Sequence, residues 1–285
     1  MHGRKNNMNI KVINKESRKK SLVLSKQLKY IEKQEQKILN QKENTFIKSK
    51  ITPVMDLIQD KLPDKLKTTL DTAFYKGFQL VFEKGNTYIE KTYNKNKIQI
   101  EYDLNNYAVD KYLSKQYIKK MDTQSNHSNT LNSSIAVLEG GVLGLLGIGL
   151  PDIPLFITVI IRTINEISLS YGYEYDTNEE KIYILYLICG AMTKGERHKG
   201  FGEMIDLLGE KIDSNVVMEI NLEENMKEAA KILSDALLTA KFIQGIPIVG
   251  VIGGVVNHSI ISKVGKYAKI KYKKRYLLSK VNKMG

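Results

Sequence analysis

The sequence predicts an all-α protein, a multi-helix globular bundle with glycine-rich central helices and a basic amphipathic C-terminal helix. Apolar residues recur at three- and four-residue steps along much of the chain, as one face of a helix requires. Helix-start signals precede several of these segments. Of 285 residues, 42% are hydrophobic and 26% charged, with 5 prolines and no tryptophan. This composition is typical of a helix-rich globular protein rather than a disordered or disulfide-linked one.

Two regions are expected along the chain: a basic, partly flexible arm or helix over residues 1–50, and a helical domain over residues 51–285. The first 22 or so residues show no apolar periodicity, which is typical of a frayed arm. The following segment to Lys50 is plausibly helical, but its apolar positions are too sparse to predict a core face. They are Leu28, Ile31 and Ile38.

Helix starts are predicted at Thr52-Pro53 and again at Leu62-Pro63, because threonine is a good N-cap and proline is favoured at the first helical position. The second opens an amphipathic helix to about Tyr93. Its apolar positions are Leu66, Leu70, Ala73, Phe74, Phe78, Val81 and Phe82.

The next segment is less regular. The alternation from Ile98 to Tyr102 predicts a brief strand or an extended connection. A helix is predicted for roughly Tyr107 to Met121. The Ser, Asn and Thr cluster from Asp122 to Ser134 predicts a loop.

Two glycine-rich blocks are the most distinctive part of the sequence. The first contains Glu139, Gly140, Gly141, Gly144, Gly147, Asp152 and Pro154, followed by an apolar run with Arg162 and Glu166 and then by Tyr171-Gly172-Tyr173-Glu174. The second runs from Ile246 and contains Gly250, Gly254 and Asn257. Small residues at such spacings let helices approach closely. The blocks predict a glycine-lined helix-helix contact inside the fold, with lipid-interacting segments as the alternative.

These two blocks carry a resemblance to the EcsC family, which shows a glycine-rich segment ending in Asp-Ile-Pro, a following arginine and a Tyr-Gly-Tyr motif in this order. The resemblance extends over roughly Pro53 to Leu277. Glu174 stands where the family commonly has aspartate, which keeps the charge. The resemblance implies an all-α intracellular protein of undefined activity, with some association with membrane transporters. It implies no catalytic residue.

Several of the block residues have predicted structural roles. Asp152 is expected to cap a helix that begins near Pro154, and Gly172 to close that helix in the left-handed conformation. The pairs Thr177/Glu180 and Asn221/Glu224 predict capped helix starts, the second helix ending near Phe242.

Arg162 lies in a mostly apolar stretch, so it requires a carboxylate partner. Glu166, four residues on, is the nearest candidate, and Glu139 or Asp152 could reach it through the fold. A structural ion pair is favoured over an anion or headgroup site.

No enzyme signature was found in the sequence. The motifs H-E-x-x-H, G-x-S-x-G and C-x-x-C do not occur. The four histidines are too far apart for a helical metal site, and Gly147-x-Gly149 is a weak phosphate-loop signal. The single cysteine, Cys189, is expected to be a buried thiol. We therefore expect no catalytic residue, cofactor or metal.

Positive charge is concentrated at the two ends of the chain. Of the net charge of +13, residues 1–50 hold 14 Lys/Arg against 4 Asp/Glu, and residues 263–285 hold 9 against none. Basic segments attract anionic headgroups at about 1 kcal/mol per residue. Aromatic residues do not interleave these runs in the way that base-stacking platforms require, so nucleic-acid binding is disfavoured. The lysine-rich start lacks an apolar signal segment, which predicts a cytoplasmic location.

The last helix is expected to be amphipathic, with an apolar arc of Ile260, Val264, Tyr267, Ala268, Tyr272 and Tyr276. Two interpretations of this pattern stay open: the helix lies in the headgroup plane of a membrane, or its arc docks on the protein core. In the first, the membrane-contact candidates are Lys263, Lys266, Lys269, Lys273, Arg275 and Lys280.

The predicted function is a non-enzymatic, peripheral membrane-associated or membrane-complex accessory protein, located at the cytoplasmic face of the membrane. Its partners would be an anionic membrane surface or a membrane protein complex. One alternative is a helical binding module for a transporter or other protein. Another is an enzyme with a pocket near Arg162.

Overall fold

Every regular element in the described part of the chain is a helix. The computed structural model describes residues 2–39, 64–85, 89–112, 115–129, 152–243 and 254–283. The helices are α1 (His2–Leu39), α2 (Asp64–Leu80), α3 (Lys95–Tyr112), α4 (115–129), α5 (Asp152–Ser170), α6 (Asn178–Met192), α7 (Gly195–Asp213), α8 (Leu222–Ile243) and α9 (Gly254–Asn282). A π-helical turn, Val81–Gly85, continues α2. These ranges contain no strand, so the predicted all-α class is confirmed.

Helix α9 lies at the centre of the packing, where it contacts α1, α5, α6 and α7. In turn, α8 packs against α2 and α6. The predicted apolar arc of α9 is buried at every position: Ile260, Val264, Tyr267, Ala268, Tyr272 and Tyr276. A fully buried Ile or Val side chain of this arc contributes about 1.5–3 kcal/mol. Of the two interpretations of this helix, the structure therefore has the one in which the arc docks on the protein core.

Helix α5 is apolar on most sides because α2, α3 and α9 surround it. Its isoleucines at positions 157, 160, 161, 164 and 167 are all buried. Gly77 of α2 lies directly against Ile157, and a Cβ there would overlap the Ile157 side chain. Among the described residues, Ile153–Ser170 is long and apolar enough to cross a bilayer, and 78% of this window is buried inside the protein.

The end of α5 is a Schellman motif around Gly172. The N–H of Tyr173 donates to the carbonyl of Ser168, and the N–H of Gly172 donates to that of Leu169, both at 3.0 Å. Gly172 has φ +81°, so the predicted left-handed helix end is confirmed. A Cβ at this position would also overlap the ring of Tyr102 on α3.

Both predicted capped helix starts are present. Thr177 Oγ1 accepts from the N–H of Glu180 at 3.2 Å at the start of α6. Asn221 Oδ1 accepts from the N–H of Glu224 at 3.0 Å at the start of α8, and its Nδ2 donates back to Glu224 Oε2 at 3.1 Å. The Glu180 carboxylate itself faces Arg275 of α9.

The predicted strand or extended connection at Ile98 to Tyr102 is wrong, since these residues belong to α3. Asn94 starts the helix, with its Oδ1 accepting from the N–H of Lys97 at 2.9 Å. Ile98 and Tyr102 pack on the core, whereas Ile100 between them is exposed. The alternation therefore came from an apolar side chain on the outer face of a helix.

The predicted loop from Asp122 is also wrong as far as residue 129, because α4 continues through it. Ser125 and Ser128 are buried. The Asn129 amide occupies the space beside Gly265 of α9, so closely that a Cβ at Gly265 would overlap it. The Asn129 side chain therefore packs at a position where its partner helix has a glycine. Residues 130–134 lie outside the described residues.

Helix α1 contributes to the core, contrary to the expectation that its apolar positions are too sparse. Leu24 and Ile31 are buried, and α1 packs along α9. Gln27 and Glu35 complete the buried face, which explains why an apolar pattern does not reveal it. The helix begins at His2 rather than after a frayed arm. The expected division near residue 50, and the helix starts at Thr52 and Leu62, lie outside the described residues.

Candidate functional site

Four cations of α9 are buried inside the fold. Lys271, Lys273, Arg275 and Lys280 each expose no more than 6% of their surface. A buried ammonium or guanidinium group requires a carboxylate partner, because its desolvation otherwise costs several kcal/mol. Each of the four has such a partner on another helix.

Lys271 and Lys274 share two carboxylates from two different helices. Asp206 of α7 lies 2.9 Å from the Lys271 ammonium and 2.6 Å from the Lys274 ammonium. Glu35 of α1 contacts Lys271 directly and lies 3.1 Å from Lys274. Two cations and two anions balance one another, so this cluster joins α1 and α7 to α9 without leaving an excess charge.

Arg275 also meets two carboxylates, but without a second cation. Its Nη2 lies 2.7 Å from Asp213 of α7 and its Nη1 lies 2.8 Å from Glu180 of α6. The rings of Tyr173 and Tyr183 lie 4.1 and 5.0 Å from the guanidinium carbon. Burial raises the pKa of Glu180 to about 7, and nearby Asp213 adds to this effect while Arg275 opposes it.

Asp122 of α4 connects the Tyr-Gly-Tyr motif to the last helix. The Lys273 ammonium lies 2.7 Å from one carboxylate oxygen, and the Tyr171 hydroxyl donates to the other at 2.9 Å. Burial and the adjacent carboxylate raise the pKa of Tyr171 well above its usual value, so the hydroxyl keeps the proton that it donates. Farther along α9, Lys280 contacts Asp110 of α3.

This pairing corrects part of the expected membrane-contact set. Lys273, Arg275 and Lys280 are themselves buried and contact carboxylates of other helices, so they are not part of an outer surface. Lys269 is half-buried and donates to Asn126 at 2.7 Å. Lys263 and Lys266 are exposed, and a membrane contact by these residues stays a prediction.

Arg162 forms the predicted ion pair with Glu166 at 2.8 Å. The ring centroid of Tyr93 lies 6.0 Å from its guanidinium carbon. The Tyr93 and Tyr175 hydroxyls are 2.7 Å apart, and Tyr175 donates to Glu90 at 2.6 Å. Since the proton of Tyr175 goes to Glu90, the hydroxyl of Tyr93 donates to Tyr175. Tyr93, Tyr175 and Glu90 thus form one hydrogen-bonded chain, and the Tyr93 ring lies beside the Arg162 guanidinium.

The surface beside this chain is an open depression of about 740 Å³ lined by residues 90–96. Lys95 lies 3.0 Å from Glu90, 3.3 Å from Glu174 and 3.8 Å from Asp176. The hydrogen bond from Tyr175 is the main cause that lowers the pKa of Glu90. The charged groups at this depression are thus paired with one another. This favours the interpretation of Arg162 as part of a structural ion pair over that of an anion or headgroup site.

The remaining motif residues are only partly described. Glu139, Gly140, Gly141, Gly144, Gly147 and Gly250 lie outside the described residues, so the predicted glycine-lined contact stays a prediction. Helix α5 begins at Asp152, two residues ahead of Pro154, and α9 begins at Gly254. Asn257 is buried, and its Oδ1 has no hydrogen-bond partner in the described part of the chain. Cys189 is buried as expected, and burial raises its pKa.

An exposed surface that the sequence analysis missed lies on α3 and the start of α4. Ile100, Leu104 and Tyr107 expose 59%, 66% and 64% of their surface. At 100° per residue these positions and Lys111 fall within about 60° of the helix circumference, opposite the buried Val109. We call the following residues the tyrosine–lysine face: Ile100, Leu104, Tyr107, Lys111, Tyr112, Lys115, Tyr117, Lys119 and Lys120.

Tyrosine rings and lysine ammonium groups alternate along this face. The Lys111 ammonium lies 5.7 Å from the ring centroid of Tyr107 and 5.4 Å from that of Tyr112. Tyr112 stacks on Tyr117 of α4 with centroids 6.5 Å apart, and Lys120 lies 5.1 Å from the Tyr117 centroid. A helical wheel of residues 95–112 would have shown the stripe, had this segment been assigned to a helix.

The two glycine blocks and the Tyr-Gly-Tyr motif lie within one family match. The profile of the EcsC protein family matches residues 25–277, most of the chain. The chain belongs to the EcsC family. The EcsC match begins ahead of the expected Pro53 and includes the C-terminal part of α1, in agreement with the burial of Ile31 and the packing of α1 along α9.

One curated relative is similar to part of this EcsC family member. It is the uncharacterized protein YdbA of Bacillus subtilis (strain 168), 22% identical over 167 residues, which cover 56% of this chain and 60% of the relative. The chain therefore spans about 60% of the length of the curated relative that it matches. No solved structure matches the chain significantly.

Proposed function

We propose that this EcsC family protein is a peripheral, non-enzymatic accessory protein that binds anionic membrane surfaces from the cytoplasmic side. The proposal is carried by one observation, the location of the positive charge that is not paired with carboxylates in the folded protein. The four buried cations of α9 and the neighbouring Lys274 are matched by carboxylates of five other helices. The first half of α1 supplies a second basic segment. Its charged residues are Arg4, Lys5, Lys11, Lys15, Glu16, Arg18, Lys19 and Lys20.

The end of this basic segment is attached beside the tyrosine–lysine face. Lys20 donates to the carbonyl of Asp110 at the end of α3, at 3.1 Å. The chain that precedes Lys20 therefore starts from the same end of the molecule as Lys111. Each lysine near an anionic membrane contributes about 1 kcal/mol, so several acting together support reversible binding.

Co-sedimentation of the full chain with anionic and neutral vesicles, across a salt series, tests the proposal. We expect binding to anionic vesicles that weakens with salt. Replacement of Lys5, Lys11, Lys15 and Arg18 by glutamine should reduce it at least tenfold. The matched control removes four exposed lysines elsewhere: Lys65, Lys76, Lys199 and Lys231. Absence of binding to anionic vesicles, or an equal loss in the control, would contradict the proposal.

A further inference from the structure

The tyrosine–lysine face has apolar side chains at its centre and lysines at its edge. No other part of the described structure covers these apolar side chains. Its aliphatic members, Ile100 and Leu104, point outward from a single helix rather than into a groove. Tyrosine has an apolar ring and a polar hydroxyl, a combination suited to the boundary between headgroups and acyl chains. Lysine can extend its ammonium group toward the headgroups while its methylenes lie along an apolar surface.

The charges around the face are predominantly positive. Lys111, Lys115, Lys119 and Lys120 are exposed, and residues 115–121 contain no acidic residue. Asp103 is exposed at one edge, and Glu101 at the other is paired with Lys97 at 3.9 Å. The Asp110 carboxylate is in contact with Lys280. The face thus combines an apolar stripe with a cationic end, which is complementary to an anionic lipid surface.

We propose that the tyrosine–lysine face is the membrane-contacting surface of this protein, and that it lies in the headgroup layer of anionic phospholipids. This proposal rests on the proposed function and adds to it the contact surface and its lipid chemistry. Ile100, Leu104 and Tyr107 enter the boundary with the acyl chains, while Lys111, Lys115, Lys119 and Lys120 contact phosphate groups.

A single tryptophan can report on this contact, because the chain contains none. Tyr107→Trp places the reporter on the face, and Leu207→Trp places a control on the outer side of α7, where Leu207 is 54% exposed. With anionic vesicles, we expect the emission of the residue at 107 to shift to shorter wavelength and to be quenched by lipids with brominated acyl chains. The reporter at 207 should show neither change.

A second measurement uses the pair of substitutions Leu104→Ser and Tyr107→Ser, with Met204→Ser and Leu207→Ser as the matched control on α7. Removing two exposed apolar groups should weaken anionic-vesicle binding by about tenfold in the first pair and leave it unchanged in the second. Circular dichroism verifies that both variants stay folded.

The outcomes separate the two proposals. If the chain binds anionic vesicles but the reporter at 107 is unchanged, the face is not the contact surface, although the proposed function stands. If the chain binds no vesicle, both proposals fail. If the serine pair on the tyrosine–lysine face leaves binding to anionic vesicles unchanged, the lipid assignment of this face is overturned.

Discussion

Tyr171 and Lys273 bind the two oxygens of one carboxylate, that of Asp122. The first belongs to the Tyr-Gly-Tyr motif and the second to the basic last helix, so the contact explains why both features occur in one fold. The lysine neutralises a half-buried aspartate, and the tyrosine orients it. The basic residues that suggest a membrane helix in the sequence thus stabilise the interior of the protein.

Removal of the Asp122 charge is expected to destabilise the fold. Asp122→Asn leaves the Lys273 ammonium buried without its counter-charge, and the free energy of unfolding should fall by about 3 kcal/mol. Lys273→Met combined with Asp122→Asn removes both charges, so it should recover part of this loss. Denaturant unfolding of the single and double variants measures the effect. A double variant that is less stable than Asp122→Asn would contradict this explanation.

Glu180 should make stability depend on pH. Its pKa of about 7 in the folded protein is above the unfolded value of 4.5, so the folded protein favours the protonated carboxyl group. The resulting contribution to the free energy of unfolding is complete below pH 4.5 and is lost as pH rises through 7. Glu180→Gln removes this dependence. At pH 8 the variant should be more stable than the unaltered protein by on the order of 1–3 kcal/mol, and at pH 4 the two should agree.

Thermal unfolding of both proteins from pH 4 to pH 8 measures this difference. The opposite order at pH 8, with the unaltered protein more stable, would mean that the ion pair with Arg275 outweighs the burial of Glu180.

Gly172 and Gly200 provide a matched pair of glycine substitutions. Gly172→Ala forces a side chain into a left-handed backbone and into the ring of Tyr102, so it should cost about 2 kcal/mol or more. Gly200 lies inside α7 with open space around it, and Gly200→Ala should stabilise by about 0.5–1 kcal/mol. Chemical denaturation compares the two. A neutral Gly172→Ala would contradict the described helix end.

Glu35 should control the attachment of α1. Its carboxylate contacts both Lys271 and Lys274, so Glu35→Ala leaves one aspartate, Asp206, to balance two cations. We expect faster amide hydrogen exchange over residues 20–38 of α1 with little change in α8. Glu32→Ala, at an exposed neighbouring position, is the control and should leave the exchange unchanged.

Local sequence signals predicted the parts of the fold that depend on neighbouring residues. The left-handed Gly172, the Asn221 cap and the Arg162–Glu166 pair each need only residues within a few positions. Such signals operate through hydrogen bonds and sterics of one helix end or one helical turn, so an isolated sequence contains them.

The position of α9 could not be predicted in the same way. Tyrosines and lysines at helical spacing fit both a membrane surface and a core, and the deciding carboxylates are far away in sequence. Glu35, Asp122 and Asp206 come from three different helices. Likewise, the tyrosine–lysine face became visible only when residues 98–102 proved to be helical, which places Ile100 and Leu104 on the outer side.

In the proposed arrangement, the cations of α9 that carboxylates pair stabilise the fold, and α3 and α4 contact the membrane. Two sets of charge reversals compare these surfaces directly: Lys115, Lys119 and Lys120 to glutamate on the tyrosine–lysine face, and Lys263 and Lys266 to glutamate on the exposed side of α9. The measurement is the affinity of each folded variant for anionic vesicles at low salt. We expect the three reversals on the tyrosine–lysine face to lower the affinity at least tenfold. The two reversals on α9 should lower the affinity much less for each charge reversed. A greater loss of affinity per reversed charge in the α9 set would contradict this arrangement. It would indicate that the last helix contacts the membrane.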